Sequence, residues 1–152
     1  MSLVCCKAND RKEGANALRS GSDDPGRVVT KDGITLQLYD YEGLEHFLSR
    51  EDGKTYVINF WATWCKPCVE ELPYFERLHE NFKDRGVKVI LVSLDMPGMI
   101  ETQLIPFIRN RKLKPEVVVL DDPRQNMWIS EIDENWSGAI PATLIYTNDK
   151  RA

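Results

Sequence analysis

The sequence predicts an α/β domain in which a central sheet carries helices on both of its faces. Three observations lead there. Short, nearly continuous apolar runs occur at residues 56–61, 87–94 and 116–120, as expected of strands buried on both sides. Between them lie segments with helical spacing, the clearest being Val69, Leu72, Phe75, Leu78 and Phe82 with charges in the gaps. Strands that alternate with helices in this order build a layered sheet.

Taken along the chain, residues 7–26 are rich in Asn, Asp, Arg, Gly and Ser and bury too little apolar surface to offset the entropy of ordering them. Residues 1–26 are therefore expected to be a flexible tether, and residues 27–152 a single domain. Order begins near Val28, where Val28-Val29 and the run from Ile34 to Tyr39 flank Lys31-Asp32-Gly33, a hairpin extension at the N-terminus. Leu44, Phe47 and Leu48 then show helical spacing up to the turn at Asp52-Gly53. The run Tyr56-Val57-Ile58-Asn59-Phe60-Trp61 is a strand leading directly into two cysteines. The amphipathic helix that follows stops at Arg85-Gly86, and Pro73 inside it is expected to kink it. After the strand at 87–94, a helix over 100–113 is expected to break at Pro106. Beyond the strand at 116–120, Asp122-Pro123 reads as an N-cap and first-turn pair for a helix holding Met127, Trp128 and Ile132. The last strand is predicted over 142–146.

Composition narrows the function. With 152 residues, 42% of them hydrophobic, the chain can build one core. A net charge of −4, mixed in sign along the sequence, offers no basic stripe to steer it to nucleic acid. No run of about 18 apolar residues predicts a membrane-spanning helix. Four cysteines, two adjacent at Cys5 and Cys6 and two in a CxxC, do not read as a disulfide scaffold. The segment Leu3-Val4-Cys5-Cys6 resembles the end of a bacterial lipoprotein signal, so an exported protein with a lipid tether at Cys5 or Cys6 is expected; a cytoplasmic protein with a plain polar tail is the alternative.

A CxxC serves as a redox pair, as half of a zinc site or, with a following His, as a haem attachment. Val69 follows Cys68, which excludes the haem motif, and no second CxxC or paired His completes a zinc set. A dithiol at a strand-to-helix junction remains. There the first helical N–H groups and the positive end of the helix dipole favour a thiolate on the N-terminal cysteine. Cys65 is thus the expected nucleophile and Cys68 the resolving thiol. Lys66 adds positive charge, and Pro67 suits an early helical position. A purely structural disulfide is the bland alternative, but so short a loop constrains little of the unfolded chain.

The run from Asn59 to Cys68, followed by Glu70-Glu71-Leu72-Pro73, resembles the TlpA/ResA-like branch of the thioredoxin superfamily, and Ile140-Pro141-Ala142-Thr143 matches its second signature. The resemblance covers residues 28–146. It implies a thioredoxin-like fold and a cis Ile140–Pro141 bond lying against the CxxC. It also implies a substrate strand pairing with the backbone at Ile140, beside Pro141. Trp61 and Trp64 flank the site and are placed to shape its rim, and Trp64, Lys66 and Pro67 are the further residues expected to meet the substrate. Two departures stand out. Asn59 takes the place where many thioredoxins carry a proton-accepting Asp, and Asp95 is the candidate relay in its stead, weighed against an ordinary solvated loop carboxylate. The chain also ends early, so the usual last strand and closing helix are expected to be missing, leaving 142–146 as a bare edge. Trp128 and Trp136 read as packing residues, and His46 and His79 as surface or boundary residues.

These features predict a thiol-disulfide oxidoreductase, most simply a monomeric reductase outside the cytoplasm. Its partners would be protein thiols and disulfides and an upstream electron donor. It would need no cofactor beyond the Cys65–Cys68 disulfide and no metal. A dithiol copper carrier and a thiol peroxidase are the rival readings.

Overall fold

The computed structural model describes residues 24–148, 150 and 151. Most of the expected tether, including Cys5 and Cys6 with their lipid reading, lies outside the described residues. The first ordered element, β1 (Arg27–Lys31), pairs antiparallel with β2 (Ile34–Tyr39). Asp32 and Gly33 between them both have positive φ, 50° and 78°, the backbone a tight two-residue hairpin of this twist requires. Helix α1 (Tyr41–Leu48) starts at Asp40, whose Oδ1 accepts the Gly43 N–H at 2.8 Å.

Strand β3 (Thr55–Trp61) feeds helix α2 (Lys66–Phe82), which is followed by β4 (Val87–Ser93). A short 3-10 turn (Pro97–Met99), a π turn (Ile100–Leu104) and helix α3 (Ile105–Arg111) lead to β5 (Glu116–Leu120). Helix α4 (Gln125–Ile132), β6 (Ala142–Thr147) and β7 (Lys150–Arg151) are the last of the described elements. The sheet order is β1-β2-β5-β4-β3-β6-β7. The middle strands β2, β5, β4 and β3 run parallel, and the pairs β1–β2, β3–β6 and β6–β7 are antiparallel.

Two apolar layers sandwich this sheet, and β3 shows how the period of two sorts side chains between them. Tyr56, Ile58 and Phe60 join Leu44, Phe47, Trp128 and Ile132 under α1 and α4. Val57 and Trp61 join Cys68, Leu72, Leu104, Ile105 and Ile108 under α2 and α3. Asn59 lies between Val57 and Trp61 on this second register and is completely buried.

Helix α2 runs from Lys66 to Phe82 with Pro73 inside it. Three readings of the sequence need revision. The interruption foreseen at Pro106 falls earlier: the backbone widens into the π turn, and Pro106 occupies the first turn of α3, where its missing N–H costs nothing. Asp122 does not cap α4, which begins at Gln125 with no side-chain cap. Its carboxylate is taken by the Tyr41 N–H at 3.1 Å, the Arg124 N–H at 2.9 Å and the Arg124 guanidinium at 2.6 Å. It therefore ties the start of α1 to the approach to α4. Finally, β6 is not a bare edge throughout, because Tyr146 and Thr147 pair with the two residues of β7.

Candidate active site

The site forms where β3 ends. The Leu94 N–H donates to the Trp61 carbonyl at 2.8 Å, so β3 and β4 stay joined to the last residue of the strand. Ala62, Thr63 and Trp64 turn the chain, and Cys65, at φ −90° and ψ 101°, occupies the N-cap of α2. Its own N–H donates to the Ala62 carbonyl at 3.2 Å, and its carbonyl accepts the first helical N–H, from Val69, at 3.1 Å. Pro67 stands in the first turn, as its lack of an N–H favours.

Cys65 and Cys68 are joined as a disulfide, with their Cα atoms 5.3 Å apart. The two sulfurs are not equivalent. Cys65 retains 6% exposure, whereas Cys68 has none and is covered together with Trp61, Leu72 and the α3 side chains. Of the two residues only Cys65 keeps any contact with solvent. The Ile140–Pro141 bond is cis, and the Ile140 carbonyl oxygen lies 3.9 Å from the Cys65 sulfur. Residues 75 positions apart in sequence are thereby brought side by side.

The flanking residues differ in their engagement. Trp64 is 59% exposed and carries its indole to solvent next to Cys65. The Lys66 ammonium extends away toward Glu70, 3.9 Å from its carboxylate. A cleft of about 170 Å³ follows the start of β6, lined by Phe60, Trp136, Ala142, Thr143 and Leu144. Trp136 is packed against Phe60 and Trp128, and Trp128 is buried with its indole N–H on the Asp122 carbonyl at 2.9 Å. Both therefore serve packing, and His46 and His79 lie on α1 and α2, half-buried.

Asp95 is not a solvated carboxylate. It is 1% exposed and accepts hydrogen bonds from the Thr63 N–H at 3.1 and 3.2 Å, the Thr63 hydroxyl at 2.6 Å and the Ser93 hydroxyl at 2.7 Å. Its neighbour Met96 is 66% exposed.

Glu71 is the residue that sequence reasoning missed. Asn59 donates its side-chain amide to Glu71 Oε1 at 3.1 Å, to Thr143 Oγ1 at 3.2 Å and to the Ala142 carbonyl at 3.3 Å. One amide thus links β3, α2 and the strand that begins at the cis proline. Glu71 is half-buried and stands three residues after Cys68, on the same helical face. The signal was available: Asn59 is the only polar side chain within the run 56–61, and Glu71 interrupts the spacing Cys68, Leu72, Phe75 on the buried side of α2. Among the described residues no group of three or more His, Cys, Asp or Glu converges to hold a metal ion.

Residues 29–151 match the AhpC/TSA family. The chain belongs to the AhpC/TSA family. Among curated proteins this family member is similar to the thiol-disulfide oxidoreductase ResA of Oceanobacillus iheyensis, 45% identical over 58 residues, which is 38% of the chain and 30% of that protein. It is also similar to ResA of Bacillus cereus, 34% identical over 104 residues, which is 67% of the chain and 52% of that protein. The chain thus spans about half or less of the length of these curated relatives. The thioredoxin domain of a thiol-disulfide oxidoreductase from Bacteroides vulgatus has the same fold, at 22% identity and a TM-score of 0.56, covering 87% of this chain and 84% of that one. A thiol:disulfide interchange protein from Chlorobium tepidum does so at 16% identity and a TM-score of 0.55, covering 84% of this chain and 83% of that one. This AhpC/TSA member is therefore a TlpA/ResA-like protein of the thioredoxin superfamily, with the thioredoxin-like fold that its sequence predicts.

Proposed function

We propose that the protein is a thiol-disulfide oxidoreductase that exchanges disulfides with cysteines of other proteins, working as a reductase outside the cytoplasm. The observation that carries this reading is the asymmetric Cys65–Cys68 disulfide at the N-terminus of α2, with the first sulfur reachable and the second enclosed. In the reduced protein, the Cys65 thiolate attacks one sulfur of a substrate disulfide. That bond breaks, one substrate thiolate leaves, and a Cys65–substrate mixed disulfide forms. The Cys68 thiol loses its proton and attacks the Cys65 sulfur, which releases the second substrate thiol and restores the disulfide seen here. Two electrons pass to the substrate, and an upstream dithiol must return them.

Two carboxylates border this chemistry, and their settings differ. The oxygens of Asp95 are occupied by donors from Thr63 and Ser93, whereas Glu71 is held by the Asn59 amide one helical turn beyond Cys68. Glu71 is the better placed to take the Cys68 proton. Trp64, Lys66 and Pro67 form the rim that meets the substrate, with Ile140 and Pro141 opposite. Export and a lipid tether rest on Leu3-Val4-Cys5-Cys6, and the relatives' name, thiol-disulfide oxidoreductase, supports thiol-disulfide exchange. The relevant experiment is a redox titration of the full chain against glutathione, combined with turnover of insulin disulfides. A dithiol that equilibrates reversibly and reduces insulin supports the reading. A protein that leaves insulin untouched while binding copper or consuming peroxide would replace it with one of the rivals.

A further inference from the structure

The loop that presents Cys65 is held from below by one side chain. Asp95 follows the end of β4, and the donors its buried carboxylate receives come from Ser93 and from Thr63, two residues before Cys65. The Thr63 hydroxyl contact, at 2.6 Å, is the shortest of these, and Ser93 is locked in turn by the Asp95 N–H at 3.0 Å. Charge-assisted bonds of this kind are stronger and more directional than neutral ones. At 1% exposure the Asp95 oxygens rely on these donors in place of water. Loop and carboxylate therefore hold each other in place.

We propose that Asp95 is a positioning residue: through Thr63 it sets the backbone that places the Cys65 thiolate at the N-terminus of α2. The stabilisation of a thiolate at a helix end falls off within one turn, so a small displacement of Cys65 weakens it. Asp95 acts through geometry, without exchanging a proton with either thiol. This inference rests on the reading of Cys65 as the nucleophile. The charged groups in the first two turns of α2 are Lys66, Glu70 and Glu71, with Glu76, Arg77, His79 and Glu80 further along it; the π turn and α3 carry Glu101, Arg109 and Arg111, Asp95 lies beneath the loop, and residues 137–143 carry none.

The test is the pH dependence of iodoacetamide modification of the reduced full-length chain, with the modified cysteine located by peptide mass. Thr63→Val keeps the side-chain shape, removes the hydroxyl donor and changes no charge. Its Cys65 midpoint should rise, and modification at pH 7 should slow by about three- to tenfold, a part of the roughly ten- to hundredfold that one charge-assisted hydrogen bond is worth. Thr63→Ser keeps the donor and should match wild type. Asp95→Asn should also raise the midpoint, whereas loss of a nearby negative charge alone would lower it. A lowered midpoint in Asp95→Asn, or a Thr63→Val profile that coincides with wild type, overturns the proposal. If Asp95→Asn does not fold, the two Thr63 variants decide the matter alone. A wild-type protein in which Cys68 is modified before Cys65 would instead overturn the assignment of the nucleophile.

Discussion

The buried amide of Asn59 on β3 donates to the carboxylate of Glu71 on α2 at 3.1 Å, placing a half-buried acid one helical turn beyond the enclosed thiol Cys68. Glu71→Gln keeps the shape and removes the proton acceptor. The second step of exchange, release of the mixed disulfide by Cys68, should slow by about a hundredfold at neutral pH, within the usual range for a lost general base. Modification of Cys65 by a small alkylating agent should stay near the wild-type rate. Stopped-flow measurement of the two steps separates them, and equal slowing of both would remove Glu71 from the proton path.

The unequal burial of the two sulfurs leads to an unequal pair of variants. Cys65→Ser should abolish reduction of protein disulfides. Cys68→Ser should still attack and then accumulate a covalent mixed disulfide, visible by non-reducing electrophoresis and dissolved by dithiothreitol. Trapping by Cys65→Ser instead would reverse the assigned roles.

Gly138 shapes the segment that brings Ile140 to Cys65. Its φ is +85°, and a Cβ built there would lie 2.6 Å from Ile129 Cδ1. Gly138→Ala therefore meets both a left-handed backbone and a contact with the end of the Ile129 side chain, which can shift at some cost. A loss of about 1–2 kcal/mol is expected, measurable by urea unfolding. KM for a protein disulfide should rise more than the rate of Cys65 alkylation falls, because the displaced segment faces the substrate.

Asp122 ties α1 to α4, and its pH signature follows from its partners. The Arg124 guanidinium bonded to it holds its carboxyl below the ordinary value, against the opposing effect of burial. A carboxylate whose folded-state pKa is depressed adds stability above its unfolded value, near about 3.9, and that contribution fades as pH falls through the folded value. Asp122→Ala should cost about 1–3 kcal/mol at pH 7, since it strands the buried Tyr41 N–H. The gap between wild type and Asp122→Asn, followed by thermal denaturation, should narrow as pH falls below about 4. A gap that widens toward acid would contradict the assignment. The Arg124–Glu42 contact, between half-exposed side chains, should add little to it.

The sequence alone determined the features that depend on local pattern. Continuous apolar runs marked β3, β4 and β5, the stripe from Val69 to Phe82 marked α2, and the CxxC at their junction marked a thiol at a helix N-terminus. Each is legible because strand and helix impose periods of two and 3.6 on neighbouring residues. The tertiary structure decided what joins residues remote in sequence. Asp95, followed by Met96-Pro97-Gly98, carries the composition of an open loop, and it is buried because β4 ends beside β3 and delivers it beneath Thr63. Asp122 has the look of a helix cap, yet its donors come from Tyr41 and Arg124 once β5 has placed it beside the start of α1. Asn59 could be recognised as a polar interruption in β3, but its acceptors come from α2 packed on the sheet, at Glu71, and from β6 added antiparallel to β3, at Ala142 and Thr143. The order of strands in a sheet is chosen by the total burial of both faces, a sum over the whole chain that no local window contains.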